Sequence, residues 1–511
     1  MPPAFTSASA PLVPLSVSVD APRSLVAPSV AVAAVAPPAV SAEAKRWFTL
    51  AIGSLVVAGL LSLSVVLGRL PVLSRIIDDP LFFKRCLVVH VDLALVVWFY
   101  AFLAALMALR TPRGEGLSGR VAFTLSVGGV FAMLAGGLVR GAQPVLANYV
   151  PVIDHPLFGA GLAAFFTGAL IFFVQSLARP TSQRADELPS DVAIGLQAAA
   201  LTTVIAAATW VSARAGLPAG VDAYTRAEFL AWGAGHVLQA ANTAAMLAVW
   251  LWLLQRATGR SLFSPRAARG VFALVVLPQL AMPLLTVRGT LDTLYHSGAT
   301  QLMRWAIFPA VVLVFALGVR HLWRHRAAHA WRPRNTTWAP VRPADPAAPV
   351  ARVGFAASAT LAILGMILGA CIRSSTTLVP AHYHASLGAV TMAFMTAAFL
   401  VCAAARPAAN GAGLSDRTWR QARWQLLAYG VGQTIFVAGF AIGGAYGLGR
   451  KAYAAEQHVR GAGEMTGLIV MGVGGLLAVA GGLWFLFLVL REVRGWWRAR
   501  GAAAEFAITS T

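Results

Sequence analysis

The chain has 511 residues, of which 58% are hydrophobic and only 12% charged, with a mean hydropathy of +0.71. This excludes a water-soluble globular protein and defines a polytopic membrane protein whose solvent is the lipid bilayer. The formal net charge of +21 has no nucleic-acid recognition module beside it, so no nucleic acid is expected as a partner.

Residues 1–44 are rich in Ala, Pro, Val and Ser, with Arg23 as the only basic residue before Lys45. They lack the basic start and unbroken apolar core of a signal peptide, and their prolines disfavour a helix, so a disordered cytoplasmic extension is expected. Twelve apolar runs then reach membrane-spanning length, at 46–70, 82–109, 119–140, 152–178, 190–215, 226–256, 268–289, 293–320, 351–372, 380–405, 420–446 and 463–491. The predicted fold is therefore all-α, a twelve-helix membrane domain over 45–495 followed by a cytoplasmic tail at 496–511. With the amino terminus inside, the inner segments carry more than twice as many Lys and Arg as the outer ones. Both termini are thus expected on the cytoplasmic side of a bacterial-type cytoplasmic membrane. Arg320, Arg324 and Arg326, and the run Arg491, Arg494, Arg498 and Arg500, read as topology signals that meet anionic lipid. Cys86, Cys371 and Cys402 fall in or beside apolar spans and support neither a disulfide framework nor a CxxC site.

The histidines cluster by depth. His90 lies in span 2, His155 at the head of span 4, His236 in span 6, His296 at the head of span 8, and His382 and His384 at the head of span 10. Even-numbered spans run inward, so a rise of about 1.5 Å per residue puts all six in the outer half of the membrane. Ionisable groups there are costly and mark cofactors or relays, and neutral imidazole is a common haem and metal ligand. A step of two residues turns a helix by about 200°, so His382 and His384 leave opposite faces of one helix and can serve two haems. His321, His325 and His329 also share a helical spacing, but the interleaved Arg324 and Arg326 mark a basic helix end rather than a metal site. Arg450 and Lys451, in GLGRKAY, break the positive-inside trend on the outer side and suit carboxylates at a membrane edge. Asp92, Glu228 and Asp154 are the acids nearest these histidines. Gln239, Asn242, Thr243, Thr300 and Gln301 are candidates for a wet path, although polar residues also bridge packed helices. No continuous acidic chain from the cytoplasm is visible, and proton pumping is not expected.

The His of CLVVHVDLALVVWFY, the Gly-His of WGAGHVLQAANT, the His-x-His of HYHASLGA and the basic pair before span 12 together resemble subunit I of the haem-copper oxidase superfamily, which includes bacterial nitric oxide reductases. The likeness covers residues 45–495, and HYHASLGA is most similar to the cbb-type branch. It implies a cytochrome c oxidase subunit I-like fold with two haems of b type. His90 and His384 would be the axial ligands of a low-spin haem, His382 the proximal ligand of a high-spin haem, and Arg450 and Lys451 the propionate partners. His236 would be one ligand of a second metal, copper or non-haem iron, and the reaction a reduction of O2 or NO. An electron-donating cytochrome or another membrane subunit would be the partner, since the chain has no CxxCH or copper-cysteine centre.

The chain also departs from that pattern. The family's His-His pair late in span 7 falls near Leu284 and Leu285, and leucine ligates no metal. His296, and after it His155, are the candidates to fill in. Ala240 stands four residues after His236, where relatives carry Tyr or Glu, and Tyr295 is the only phenol expected nearby. Two alternatives stay open: a haem-binding gas sensor, carrier or electron conduit that lacks the second metal, and a twelve-helix secondary transporter, for which related halves would be needed and no repeat is visible.

Overall fold

In lipid a backbone satisfies its own polar groups only as a helix or a closed barrel, so long apolar runs have one outcome available to them. The computed structural model describes residues 40–67, 79, 81–109, 116–178, 188–325, 345–406, 413–450, 459 and 461–509, with side chains as far as 498. Most of the expected N-terminal extension, His329 and Lys451 lie outside the described residues.

Twelve helices long and apolar enough to span appear among them. They are α1 (Ala42–Leu67), α2 (Phe82–Ala108), α3 (Leu117–Leu138), α4 (Pro156–Ala178), α5 (Ser190–Ala215), α6 (Ala223–Thr258), α7 (Pro265–Thr286), α8 (Thr293–His325), α9 (Ala348–Cys371), α10 (Leu378–Ala404), α11 (Asp416–Ala445) and α12 (Ala462–Thr509). Short polar side chains set several starts: Asp222, Asp292 and Ser415 each accept a hydrogen bond from a backbone N–H of the first turn. Two differences from the sequence expectation have local causes. The start of α4 is delayed because Val152–Asp154 (β2) pairs antiparallel with Gln143–Val145 (β1) in a small outer hairpin. α12 runs on through residue 496 to Thr509, so the segment expected as a tail begins as helix.

Three helices are interrupted. α2 carries a π turn at Asp92–Val97 just after His90, α8 another at Met303–Ile307, and α7 a 3-10 turn at Leu277–Leu280 where Pro278 withholds its N–H.

Burial ranks the helices. The most apolar stretches of α2, α6 and α10 are 72%, 72% and 78% buried, against 28% for α1 and 33% for α8 and α12. The three innermost helices therefore carry His90, His236, His382 and His384. Small residues permit this packing: Ala385, Gly388, Ala389 and Ala393 line α10, and a Cβ on Gly365 of α9 would lie 2.5 Å from Ser386 Oγ.

Outer loops fasten the helix ends near these histidines. Buried Arg85 of α2 donates from Nε to Gly137 O (3.0 Å) and pairs with Asp79. The guanidinium holds the Asp79 carboxyl below the usual carboxylate range. On the far side, Thr377 N–H donates to Leu448 O (2.8 Å) and Thr376 bridges Gly449, which ties the α11–α12 loop to the start of α10.

Candidate haem and gas site

His90 of α2 and His384 of α10 stand on helices that meet through Trp98, Phe99 and Phe102 of α2 against Phe394 of α10. The His90 Nδ1–H donates to Ala58 O of α1 (2.8 Å), which fixes the tautomer and leaves Nε2 as a free lone pair. Among the described residues the His384 ring takes part in no hydrogen bond. Phe440 of α11 stacks on it, with centroids 5.2 Å apart and planes 9° from parallel, and Phe436 meets it edge-on. Gln433 Nε2–H donates to the His384 carbonyl (2.9 Å), which steadies the backbone beneath the ring.

His382, from the opposite face of α10, turns toward α9. Its Nδ1–H donates to Gly365 O (2.7 Å), and a Cβ on Gly369 would come within 2.7 Å of the ring, so these glycines form the groove that holds the imidazole. Its Nε2 makes no hydrogen bond among the described residues, and the residue lines a cavity of about 160 Å³, well beyond what a single water needs. Leu95, Val96, Leu238, Met246, Met303, Ile307 and Val311 give apolar walls; Gln239, Asn242, Thr243, Ser386, Tyr100 and Tyr149 supply polar groups. Tyr100 is buried, and its hydroxyl has no partner among the described residues. A buried hydroxyl without a partner and an imidazole nitrogen free to ligate, both lining one mostly apolar cavity, fit a haem.

The second-metal expectation fares differently. His236 uses both ring nitrogens: Nδ1–H donates to Trp232 O (2.7 Å), and Nε2 accepts from the Tyr149 hydroxyl (2.9 Å). His296 Nε2–H donates to Thr290 O (2.9 Å), and the Trp232 ring stands between the two histidines, 5.2 Å from His296 and 5.1 Å from His236. His155 does not fill in, because its Nδ1 accepts from Leu157 N–H at the start of α4. Leu284 is 71% exposed on the outside of the bundle, and Leu285 packs on Gly298 of α8. Among the described residues no group of three or more His, Cys, Asp or Glu is arranged to hold a metal. The donor set does not fit copper or non-haem iron.

Tyr295 is also corrected as the neighbouring phenol. Its hydroxyl is consumed by donating to Phe229 O (2.6 Å) and accepting from Gly233 N–H (2.9 Å). The phenol at His236 is Tyr149, which lies on the turn of the outer hairpin and escapes any reading of the spans alone. Its one trace in the sequence is Gly235 beside His236: a Cβ there would lie 2.5 Å from Tyr149 Cγ.

Of the wet-path candidates, Gln239, Asn242 and Thr243 line the cavity, whereas Thr300 bonds His296 O within its own helix and Gln301 accepts from Trp305 Nε1–H. Asp92 is fully buried, and neither carboxylate oxygen has a partner among the described residues. Arg450 Nε–H donates to Ser375 Oγ (2.8 Å), which places this cation beside the loop that leads into α10. His321 and His325 meet edge to face, and His321 Nε2 lies 2.9 Å from Thr258 Oγ1, as befits a basic helix end.

Twelve spans around a histidine-bearing core of α2, α6 and α10 define a membrane protein of the haem-copper oxidase subunit I type. Residues 43–478 match the model of the family described as cytochrome c and quinol oxidase polypeptide I, and the chain belongs to that family. Membership implies haem cofactors. The chain is similar in structure to a heme-copper terminal oxidase seen as a dimer by cryo-EM, with a TM-score of 0.68, 17% identity, and 88% of this chain and 83% of that one covered. An uncharacterised protein of Aquifex aeolicus (strain VF5) is 31% identical over 211 residues, 41% of this chain, and the chain spans about half of that relative's length, 53%. An uncharacterised protein of Rickettsia prowazekii (strain Madrid E) is 22% identical over 502 residues, with 87% of this chain and 94% of that protein covered.

Proposed function

We propose that this protein is a membrane-bound, electron-transferring haem protein in which His90 and His384 are the axial ligands of a low-spin haem and His382 the single proximal ligand of a high-spin haem, with O2 or NO as the gas it reduces. The observation that carries the reading is the division of α10 into two faces, with His384 among Phe436 and Phe440 on one and His382 held by Gly365 O at the edge of the cavity on the other. Haem supplies iron that exchanges electrons and, where one axial position is open, holds a diatomic gas. Ala58 O and Gly365 O fix the tautomers of His90 and His382, so each presents a lone pair at Nε2 without first losing a proton. Phe436 and Phe440 exclude water around His384. Arg450, with Lys451 as the second cation, pairs propionates at the outer edge, where a charge-assisted contact is strong.

With an even number of spans both termini share one side, and the excess of Lys and Arg in the segments on that side supports a cytoplasmic position for them. Electrons come from a cytochrome or another membrane subunit. The test is the optical spectrum of the purified protein, oxidised, reduced, and reduced with carbon monoxide. Two haems, one of them binding carbon monoxide, are expected; a preparation without haem overturns the reading. A second reading, a gas-binding sensor or electron conduit without a second metal, is favoured by the use of both His236 nitrogens. The transporter alternative finds no support beside the family match.

A further inference from the structure

The part of the cavity wall that Tyr149 forms is built rather than filled by chance. Tyr149 has φ +68°, the only positive φ at a residue other than glycine among the described residues. A side chain in that conformation is strained and persists only where its surroundings impose it. Two devices impose it here. Glu228 of α6 accepts from both the backbone N–H (2.8 Å) and the side-chain amide of Asn148, which clamps the turn immediately before Tyr149. Gly235 removes the Cβ that would strike the phenol ring, so the ring lies flat against α6 with its hydroxyl on His236 Nε2.

The hydrogen bond also has a defined direction. Trp232 O holds the proton of His236 on Nδ1, so Nε2 is the acceptor and the phenol is the donor. That nitrogen is the one with which His236 would bind a metal, and no second or third ligand stands near to justify giving up the bond. Tyr149 itself lines the cavity beside Gln239 and Asn242.

We propose that Tyr149 stands in the place of the second metal. Held by His236, to which it gives its one proton, the phenol forms the distal wall of the His382 pocket, which then takes a small uncharged diatomic gas through the amide N–H groups of Gln239 and Asn242, with no second metal ion. This rests on the reading of His382 as a haem ligand. It also names the chemistry of the distal side: two amides and a phenol, all neutral, which favour an uncharged ligand over an anion.

The experiment uses the purified full-length protein in detergent. Iron and copper are counted against haem, and the infrared C–O stretch and nitric oxide dissociation of the reduced form are compared for wild type, Tyr149→Phe and His236→Gln. Expected are no copper, no iron beyond haem, and unchanged haem content in both variants. Both variants should shift the C–O band, and His236→Gln, which frees the phenol proton for the gas, should slow nitric oxide dissociation roughly fivefold, the scale of one neutral hydrogen bond. His236→Gln is the second reporter because it releases the phenol without removing it. A stoichiometric extra metal that disappears in His236→Gln overturns the proposal, as does a C–O band in Tyr149→Phe that coincides with wild type. A wild-type protein that gives no carbon monoxide difference spectrum overturns the haem reading and this proposal with it, and is recognised before any variant is made.

Discussion

The α2–α10 side of the molecule and the α6 side carry the same residue type at similar depth, yet they are prepared for different work. His90 and His382 each spend one nitrogen on a backbone carbonyl and keep the other free, and His384 is held by aromatic rings alone. His236 spends both nitrogens, one on Trp232 O and one on Tyr149. Depth in the membrane says where an imidazole sits, and the remaining hydrogen bonds say whether it has a lone pair to offer. The same contrast runs through the glycines. Gly369 makes room for a ligand-ready ring, and Gly235 makes room for a phenol that occupies one.

The largest expected effect breaks the α2–α10 side. Replacing His384 or His90 with Ala should abolish the low-spin haem spectrum and leave carbon monoxide binding at the other haem; an unchanged low-spin spectrum in both would remove that assignment. His382→Ala should do the converse, losing carbon monoxide binding while the low-spin bands stay, and the two difference spectra together show whether α10 serves two haems.

A smaller effect is expected on the α6 side from Gly235→Ala. The added methyl overpacks against Tyr149 at a cost of about 1–3 kcal/mol, so thermal unfolding should move down and the C–O band should shift as in Tyr149→Phe. Weaker still, Glu228→Gln keeps one acceptor for Asn148 and should cost about 1 kcal/mol in the same unfolding assay, with a broadened C–O band as the turn loosens.

The smallest expected effect lies at Asp79. Its folded pKa is depressed by Arg85, so the carboxylate contributes stability above its unfolded pKa, and that contribution fades as pH falls through the depressed folded value. Between neutral pH and mild acid the outer loops should hold. Below the normal carboxylate range, the protection of the Gly137 and Ala142 amides relative to their intrinsic exchange should fall in wild type, Arg85 also binding both carbonyls, while in Asp79→Asn that protection should not change with pH.

The twelve spans were legible because a bilayer leaves an apolar run no other satisfied conformation, and the clearest shifts of their ends are at α4, where Val152–Asp154 pairs in a hairpin, and at α12, which runs on to Thr509. The opposite facing of His382 and His384 was legible too, since it follows from helical geometry within one segment. The distal side was not. His296 and His155 lie in suitable spans, but Thr290 O engages the ring of one and Leu157 N–H the ring of the other, and both contacts come from loop and cap geometry that a hydropathy pattern does not encode. Tyr149 was invisible for a related reason: a loop residue reaches the membrane interior only because Glu228, about eighty positions away in the chain, holds its neighbour.

By itself the sequence determined the membrane environment, the number of helices and the sharing of one helix between two histidine-facing sites, because each depends on local hydrophobicity and on the fixed pitch of a helix. Only the tertiary structure decided which imidazole nitrogens remain free and that a phenol closes the cavity, because those outcomes depend on hydrogen bonds between segments far apart in the chain.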